Sequence, residues 1–131
     1  MTKFCLSIVA FFILFNVQAQ FFDNFSDGDF THNPSWQSAS GDFIINNQLQ
    51  LQSANTTANT TFQITTASTL AGKAQWDFWV RLDFNPSSAN YVDVWLTSAM
   101  QELNHSGNEG YFVRLGSTDD NISLYKKSGT G

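Results

Sequence analysis

A strict alternation of side chains between residues 75 and 84 constrains this chain more than any other feature. The even-numbered positions are all large and apolar: Trp76, Phe78, Val80, Leu82 and Phe84. The odd-numbered positions carry three charges and a tryptophan: Asp77, Trp79, Arg81 and Asp83. A period of two is that of a β-strand with one buried face. Residues 91–96 repeat the pattern, so the sequence predicts a central hairpin whose turn is residues 85–90.

The register of this central hairpin can be predicted from its charges. Keeping the apolar residues of both strands on one side requires even-numbered residues to pair with even-numbered ones. One such register sets Asp83 against Asp93, whereas its neighbour sets Arg81 against Asp93 and Trp79 against Trp95. Cross-strand pairs of opposite charge are worth about 0.2–1 kcal/mol, and like charges are destabilising. We therefore predict the second register.

Short apolar runs separated by turn residues predict further strands. Residues 43–45 and 48–51 flank Asn46-Asn47, which predicts a hairpin with a two-residue turn, because asparagine tolerates a positive φ. Another strand is predicted at residues 61–65. A last hairpin is predicted from residues 110–115 and 121–126, with an apolar side formed by Tyr111, Val113, Leu115, Ile122 and Leu124.

About eight short antiparallel strands with turn residues between them predict an all-β fold, either a β-sandwich or a jelly roll. No helical period appears after the first twenty residues. The sequence stops on a turn signal at residues 128–131, with no strand after it. We therefore expect the sandwich to be incomplete at its C-terminus.

The first 19 residues predict a secretory signal peptide. Lys3 gives a positive start, residues 4–17 are almost entirely apolar, and Val17-Gln18-Ala19 ends on a small residue, as cleavage sites do. A transmembrane helix would need roughly 20 apolar residues. We predict export without membrane insertion, and a single β-sandwich domain over residues 20–131.

The cysteine content and the net charge indicate where the protein acts and which partners are poor candidates. The one cysteine, Cys5, lies inside the predicted signal peptide, so the mature domain has no disulfide, which favours a bacterial exported protein. The formal net charge is −5, and the only basic cluster is the pair Lys126-Lys127. Nucleic acid is a poor partner for such a surface. We expect a secreted or cell-surface protein.

The outward face of the central strands is the best candidate ligand surface. Flat aromatic rings stack on sugars, and arginine and aspartate bond hydroxyl groups with fixed geometry. The residues expected to collect there are Trp79, Arg81, Tyr91, Asp93, Trp95, Phe112, Arg114 and Tyr125. The alternative is that these aromatics only pack under loops or against a second sheet.

A calcium site is a second candidate. Asp23, Asp27 and Asp29 offer hard oxygen ligands around Gly28. The alternative is an Asx-rich turn leading into the first strand.

Catalytic patterns are not found in the sequence. A glycosidase needs two carboxylates about 5–9.5 Å apart, whereas Asp77 and Asp83 would lie about 20 Å apart on a strand. His32 and His105 each stand alone in a polar loop and are interpreted as solvated side chains. We therefore predict that the protein is not an enzyme.

Three segments together resemble a known family. They are residues 23–30 (DNFSDGDF), residues 88–96 (SANYVDVWL), and residues 110–116 (GYFVRLG) followed by residues 122–125 (ISLY). They resemble the N-terminal region of large secreted bacterial surface proteins, some with lamin-tail-like domains further on. The resemblance implies a concanavalin A-like (laminin-G-like) jelly roll and export. It implies no catalytic or ligand residue.

These observations lead to one functional expectation and two alternatives. We expect a non-catalytic, extracellular carbohydrate-binding or adhesion module that contacts a polysaccharide or a cell-surface glycan. The first alternative is a structural spacer or protein-contact domain. The second is one part of a polysaccharide-degrading enzyme.

Overall fold

The computed structural model describes residues 22–55, 59–68, 72 and 74–130. Throughout these residues the protein is all-β, without a helix, and its seven strands form three antiparallel sheets. This arrangement is consistent with a β-sandwich. Among the same residues, no helix is long and apolar enough to span a bilayer. The predicted signal peptide lies outside the described residues.

Two of the sheets are short strand pairs from the first half of the chain. Strand β1 (Trp36–Ser38) pairs with β4 (Ile64–Thr66), which lies close to the predicted strand at residues 61–65. Strand β2 (Phe43–Ile45) pairs with β3 (Leu51–Ser53).

The β2–β3 hairpin is confirmed, but its predicted two-residue turn is wrong. The connection is residues 46–50, because the Asn46 side chain organises a longer loop. Its Oδ1 atom accepts hydrogen bonds from the backbone N–H groups of Gln48 (2.9 Å) and Gln50 (3.1 Å). The positive φ of 57° falls on Leu49 rather than on an asparagine. This Asx-type side-chain bonding replaces the tighter turn.

The third sheet is the largest and contains three strands of eight residues. It comprises β5 (Tyr91–Ser98), β6 (Glu109–Gly116) and β7 (Asn121–Ser128), in the order β5-β6-β7. We call it the main sheet. The hairpin predicted from residues 110–115 and 121–126 is confirmed as β6–β7, with Leu115 paired to Ile122. A bulge in β5 follows Trp95.

Gly110 permits the close approach of β6 to this bulge. A Cβ atom at this position would lie 2.1 Å from the carbonyl oxygen of Thr97. Only glycine fits so near a neighbouring backbone.

The predicted central hairpin is wrong, although its turn forms. Asn90 N–H donates to Ser87 O (3.1 Å), and Ser87 Oγ accepts from Ala89 N–H (3.2 Å), so the chain does reverse before β5. Residues 74–83, however, lie outside any strand. Strand β5 pairs with β6 instead, which places Asp93 opposite Arg114 and Trp95 opposite Phe112. Neither register considered for residues 75–84 occurs.

The expected distribution of covered and open faces is also wrong for the main sheet. Phe112, assigned to the outward face, is only 9% exposed. Ile122 and Leu124, assigned to the covered face, are 73% and 67% exposed. The strand alternation is therefore as predicted, but the aromatic face is the better covered one.

The loop of residues 99–108 fastens the main sheet to the first half of the chain. Asn108 is fully buried; its Oδ1 accepts from Met100 N–H (3.1 Å), and its Nδ2 donates to Leu103 O (3.0 Å). Leu103 N–H donates to the Gln63 side chain (3.2 Å), next to β4. Gln101 donates to Gln37 of β1. The loop is thus held by the internal bonds of Asn108 and by bonds to Gln37 and Gln63, at the β1–β4 sheet.

Candidate binding surface

Three aromatic side chains, one from each strand of the main sheet, form a continuous row. Trp95, Phe112 and Tyr125 occupy consecutive cross-strand positions. The ring centroids of Trp95 and Phe112 are 4.8 Å apart, and those of Phe112 and Tyr125 are 5.2 Å apart. Directly opposed residues of antiparallel strands share a face. We call this row and the charged residues beside it the aromatic face.

The rings of the row are stacked on one another rather than laid flat on the sheet. Their planes are inclined by 30° between Trp95 and Phe112 and by 10° between Phe112 and Tyr125. The centroid spacing is close to the strand spacing of about 4.7–4.9 Å, as expected when each ring stands on its own strand. Phe112 is covered on both sides, whereas Tyr125 is 42% exposed. An open ring surface is therefore found at the edge of the row, not along all of it.

An ion pair lies beside the row, two residues along β5 and β6 from Trp95 and Phe112. Arg114 donates from Nε to Asp93 Oδ1 (2.7 Å) and from Nη2 to Asp93 Oδ2 (2.8 Å). This two-point geometry is the strongest arginine–carboxylate arrangement. The hydrogen bond to Asp93 raises the pKa of Arg114 above its usual value. The fork leaves Nη1 of Arg114 outside the pair.

Arginine 114 also contacts the aromatic side chains around it. Its Cζ atom lies 3.7 Å from the ring centroid of Tyr91 and 5.3 Å from that of Tyr125. These distances are within the range of cation–π attraction. The guanidinium group is therefore fixed in position by Asp93 on one side and by aromatic rings on others, so it presents its remaining N–H groups in a defined direction.

The structure brings together six of the eight residues predicted for this face. They lie at alternate positions of their strands and are Tyr91, Asp93, Trp95, Phe112, Arg114 and Tyr125. Trp79 and Arg81 do not join them through the predicted strand pairing, because residues 74–83 lie outside any strand. Trp79 is 69% exposed.

Sequence reasoning missed one residue of this surface, Lys127. It lies two positions after Tyr125, and its partner across the strands, Gly110, has no side chain. Its Nζ atom lies 5.9 Å from the Trp95 ring and donates to His105 O (2.7 Å). Two sequence signals could have predicted this position. The alternation of β7 puts Lys127 on the same face as Tyr125, and the glycine opposite leaves room for its side chain to extend toward Trp95.

The calcium ligands predicted from sequence do not converge. Asp23 accepts from Phe25 N–H (2.8 Å) and from Trp36 Nε1–H (2.8 Å), and Asp27 accepts from Asp29 N–H (3.1 Å). Among the described residues, no three acidic, histidine or cysteine side chains are grouped so that they could hold a metal ion. Asp23, Asp27 and Asp29 each accept a bond from the backbone N–H two residues later, which is the bonding that the Asx-turn alternative predicts.

Asp29 forms a small polar cluster with His32 at the surface. Its Oδ1 accepts from Thr31 N–H (2.7 Å), and its Oδ2 lies 2.6 Å from His32 Nδ1. The backbone bond from Thr31, followed by the bond to His32, holds the pKa of Asp29 well below its usual range. The His32 side chain is 78% exposed, in keeping with a solvated loop histidine. His105 Nδ1 accepts from Gly107 N–H (3.1 Å) within its own loop.

Comparison with known proteins adds no family to this description. No protein-family model, no curated protein and no solved structure matches the chain. The chemistry of the aromatic face must therefore carry the functional interpretation.

Proposed function

We propose that this protein is a non-catalytic, extracellular carbohydrate-binding or adhesion module, and that the aromatic face of the main sheet contacts the glycan. The observation that carries the proposal is the grouping of an aromatic row with a fixed Arg114–Asp93 pair on one face of a three-stranded sheet. Sugars offer an apolar C–H surface and a rim of hydroxyl groups, and this face presents a partner for each.

The open edge of the row fits one sugar ring. Tyr125 turns one ring surface toward Phe112 and has another turned away from it, and 42% of the residue is exposed. A pyranose would pack its C–H surface against the exposed part of the Tyr125 ring. Its hydroxyl groups would bond to Nη1 of Arg114, whose Cζ atom lies 5.3 Å from the centroid of that ring.

Rigidity of the surface also supports binding. Asp93 is bonded to Arg114, and Phe112 is stacked on Trp95, across two long strands, so little side-chain freedom remains to be lost on binding. Pre-organised side chains lower the entropic cost of association.

The module belongs, in this proposal, to an exported protein. The predicted signal peptide at residues 1–19 would direct secretion, and the resemblance to concanavalin A-like jelly rolls of bacterial surface proteins suggests the context. The antiparallel all-β architecture is compatible with that fold. The proposal includes no catalysis, since the sequence offers no carboxylate pair at glycosidase spacing.

A matched pair of tyrosine variants tests the proposal. Tyr125 and Tyr111 are 42% and 45% exposed, but they lie on opposite faces of the main sheet. We expect Tyr125→Ala to weaken binding to glycans identified on a polysaccharide array by about tenfold, and Tyr111→Ala to leave it unchanged. Equal loss in both variants, or no binding of the unmodified protein to plant, algal or bacterial polysaccharides, would contradict the proposal.

The spacer or protein-contact alternative is supported by the burial of Phe112 between its neighbours. A stacked row stabilises a sheet whether or not it binds a ligand. If Tyr125→Ala lowered the free energy of unfolding while no glycan bound to the unmodified protein, this alternative would be preferred.

A further inference from the structure

The outer edge of β7 is open and carries the most exposed apolar side chains of the main sheet. Strand β7 is the last in the order β5-β6-β7, and among the described residues no strand pairs with its other side. Ile122 and Leu124 are 73% and 67% exposed and lie on the face opposite the aromatic row. An unpaired eight-residue edge offers backbone N–H and C=O groups to another strand.

The charges of β7 are arranged so that a second copy of the same strand fits it. Asp119 and Asp120 precede the strand, and Lys126 and Lys127 lie near its end. When two such strands run antiparallel, the acidic end of each meets the basic end of the other. A symmetric dimer uses the same patch on both subunits, so each favourable pair occurs twice.

One register satisfies the apolar and the charged residues together. With Ser123 on the two-fold axis, Ile122 of one copy lies opposite Leu124 of the other, and Asp120, in the turn just before β7, comes level with Lys126. Moving the register by two residues in one direction sets Ile122 against Lys126; in the other, it sets Asp120 against Leu124. Opposed residues share a face in antiparallel pairing, so moving by one residue would place Leu124 opposite Ser123 or Asn121 and mix the two faces.

We propose that the protein forms a two-fold symmetric dimer by antiparallel pairing of β7 with β7, in the register that places Ile122 opposite Leu124. Two main sheets would then become one six-stranded sheet. The two-fold axis is perpendicular to this sheet, so both aromatic faces lie on the same side.

Charge reversal tests the pairing directly, because the two charged positions belong to different ends of the strand. The variant Lys126→Glu sets carboxylates against each other in both pairs of the dimer, and Asp120→Lys sets two ammonium groups against each other. We expect each variant alone to raise the dimer dissociation constant by about tenfold. Mixed in equal amounts, the two variants should form a heterodimer of near-normal affinity, in which both charge pairs are restored.

The measurement is sedimentation velocity of the purified chain over a wide concentration range, before and after mixing. A matched control is provided by the exposed isoleucine of β2: Leu124→Lys should abolish dimerisation, whereas Ile44→Lys should not. Circular dichroism of each variant separates loss of pairing from loss of folding. These readouts need no glycan, so they fail or succeed independently of the proposed function.

Three outcomes would overturn the dimer. The first is a chain that stays monomeric at every concentration. The second is an assembly that survives Leu124→Lys but not Ile44→Lys, which would place the interface on the β2–β3 sheet. The third is a mixture of the two charge variants that associates no better than either alone, which would leave some other strand as the partner of β7.

Discussion

Residues 75–84 and residues 91–98 have the same alternating pattern, yet only the second segment forms a strand. In β5, each residue from Tyr91 to Trp95 has a partner on β6, and Asp93 makes a two-point ion pair. In the first segment, Trp76, Phe78 and Trp79 remain 41%, 46% and 69% exposed. Alternation describes which faces a strand would have; pairing of its backbone decides whether the strand forms.

The two segments differ in the strand partners that are available to them. Strands β5, β6 and β7 form a meander, and the turn of residues 117–120 sets the β6–β7 register locally. Arg114 also offers Asp93 a fork geometry across the strand pair, while Trp95 gains Phe112 as a stacking partner. These partners come from β6, so β5 is satisfied without the segment that precedes it.

The largest expected effect is a difference in stability between two alanine variants, one at the least exposed aromatic residue and one at the most exposed tryptophan. Phe112 is 9% exposed and lies between two rings, so Phe112→Ala should lower the free energy of unfolding by about 3–5 kcal/mol. Trp79→Ala should change it by less than about 0.5 kcal/mol, as at other surface positions. Urea denaturation followed by tryptophan fluorescence and circular dichroism measures both. Similar losses would mean that Trp79 is packed more tightly than its 69% exposure indicates.

The next largest effect is expected at Gly110, where β6 closely approaches the bulge of β5. In Gly110→Ala, the added Cβ would lie 2.1 Å from Thr97 O, so β5 and β6 must separate locally. We expect a loss of about 1–3 kcal/mol in the free energy of unfolding. Gly72→Ala is the matched control, because a Cβ there meets no atom within 4 Å. Thermal unfolding of the two variants should differ clearly; equal melting temperatures would argue against the bulge.

Double-mutant cycles distinguish the two candidate partners of Asp93, which are Arg114 in the structure and Arg81 in the sequence-based prediction. Arg114 and Asp93 have side-chain exposures of 23% and 21%, so their coupling should be about 1 kcal/mol. The cycle between Arg81→Ala and Asp93→Ala should give a coupling near zero. A coupling energy larger for Arg81 and Asp93 than for Arg114 and Asp93 would instead support the predicted central hairpin.

Acidification gives the smallest and most local effect. The bonds from Thr31 and His32 keep the folded pKa of Asp29 below that of an unfolded aspartate, which is about 3.9. The carboxylate therefore stabilises this turn above about pH 4, and that contribution is lost as the pH falls toward the depressed folded pKa. The Thr31 amide resonance should report the transition. Asp29→Asn should remove it, while Asp27→Asn should leave it in place.

Sequence reasoning succeeded where local signals coincide and failed where the choice of partner is not local. The β6–β7 hairpin follows from two alternating runs around a short turn, and both were readable. The alternation also placed Tyr91, Asp93, Trp95, Arg114 and Tyr125 on one face correctly. It could not show that β5 would choose β6, since Arg81 and Arg114 are equally plausible partners for Asp93 in a linear sequence.

The orientation of the rings on the aromatic face also could not be predicted from the sequence. Aromatic residues at alternate positions predict a shared face but not whether rings lie flat or stand against each other. Ring stacking depends on the cross-strand register, which placed Phe112 between Trp95 and Tyr125. That register covers Phe112 and leaves Tyr125 as the accessible ring.

Leu103 gives the fold a mechanical connection between its parts. Its carbonyl accepts a bond from Lys127 of β7 (3.3 Å), and its amide donates to the side chain of Gln63 (3.2 Å), just before β4. Tension applied to β7 would therefore pass directly to the first half of the molecule. An applied load would be shared between the main sheet and the segment next to β4.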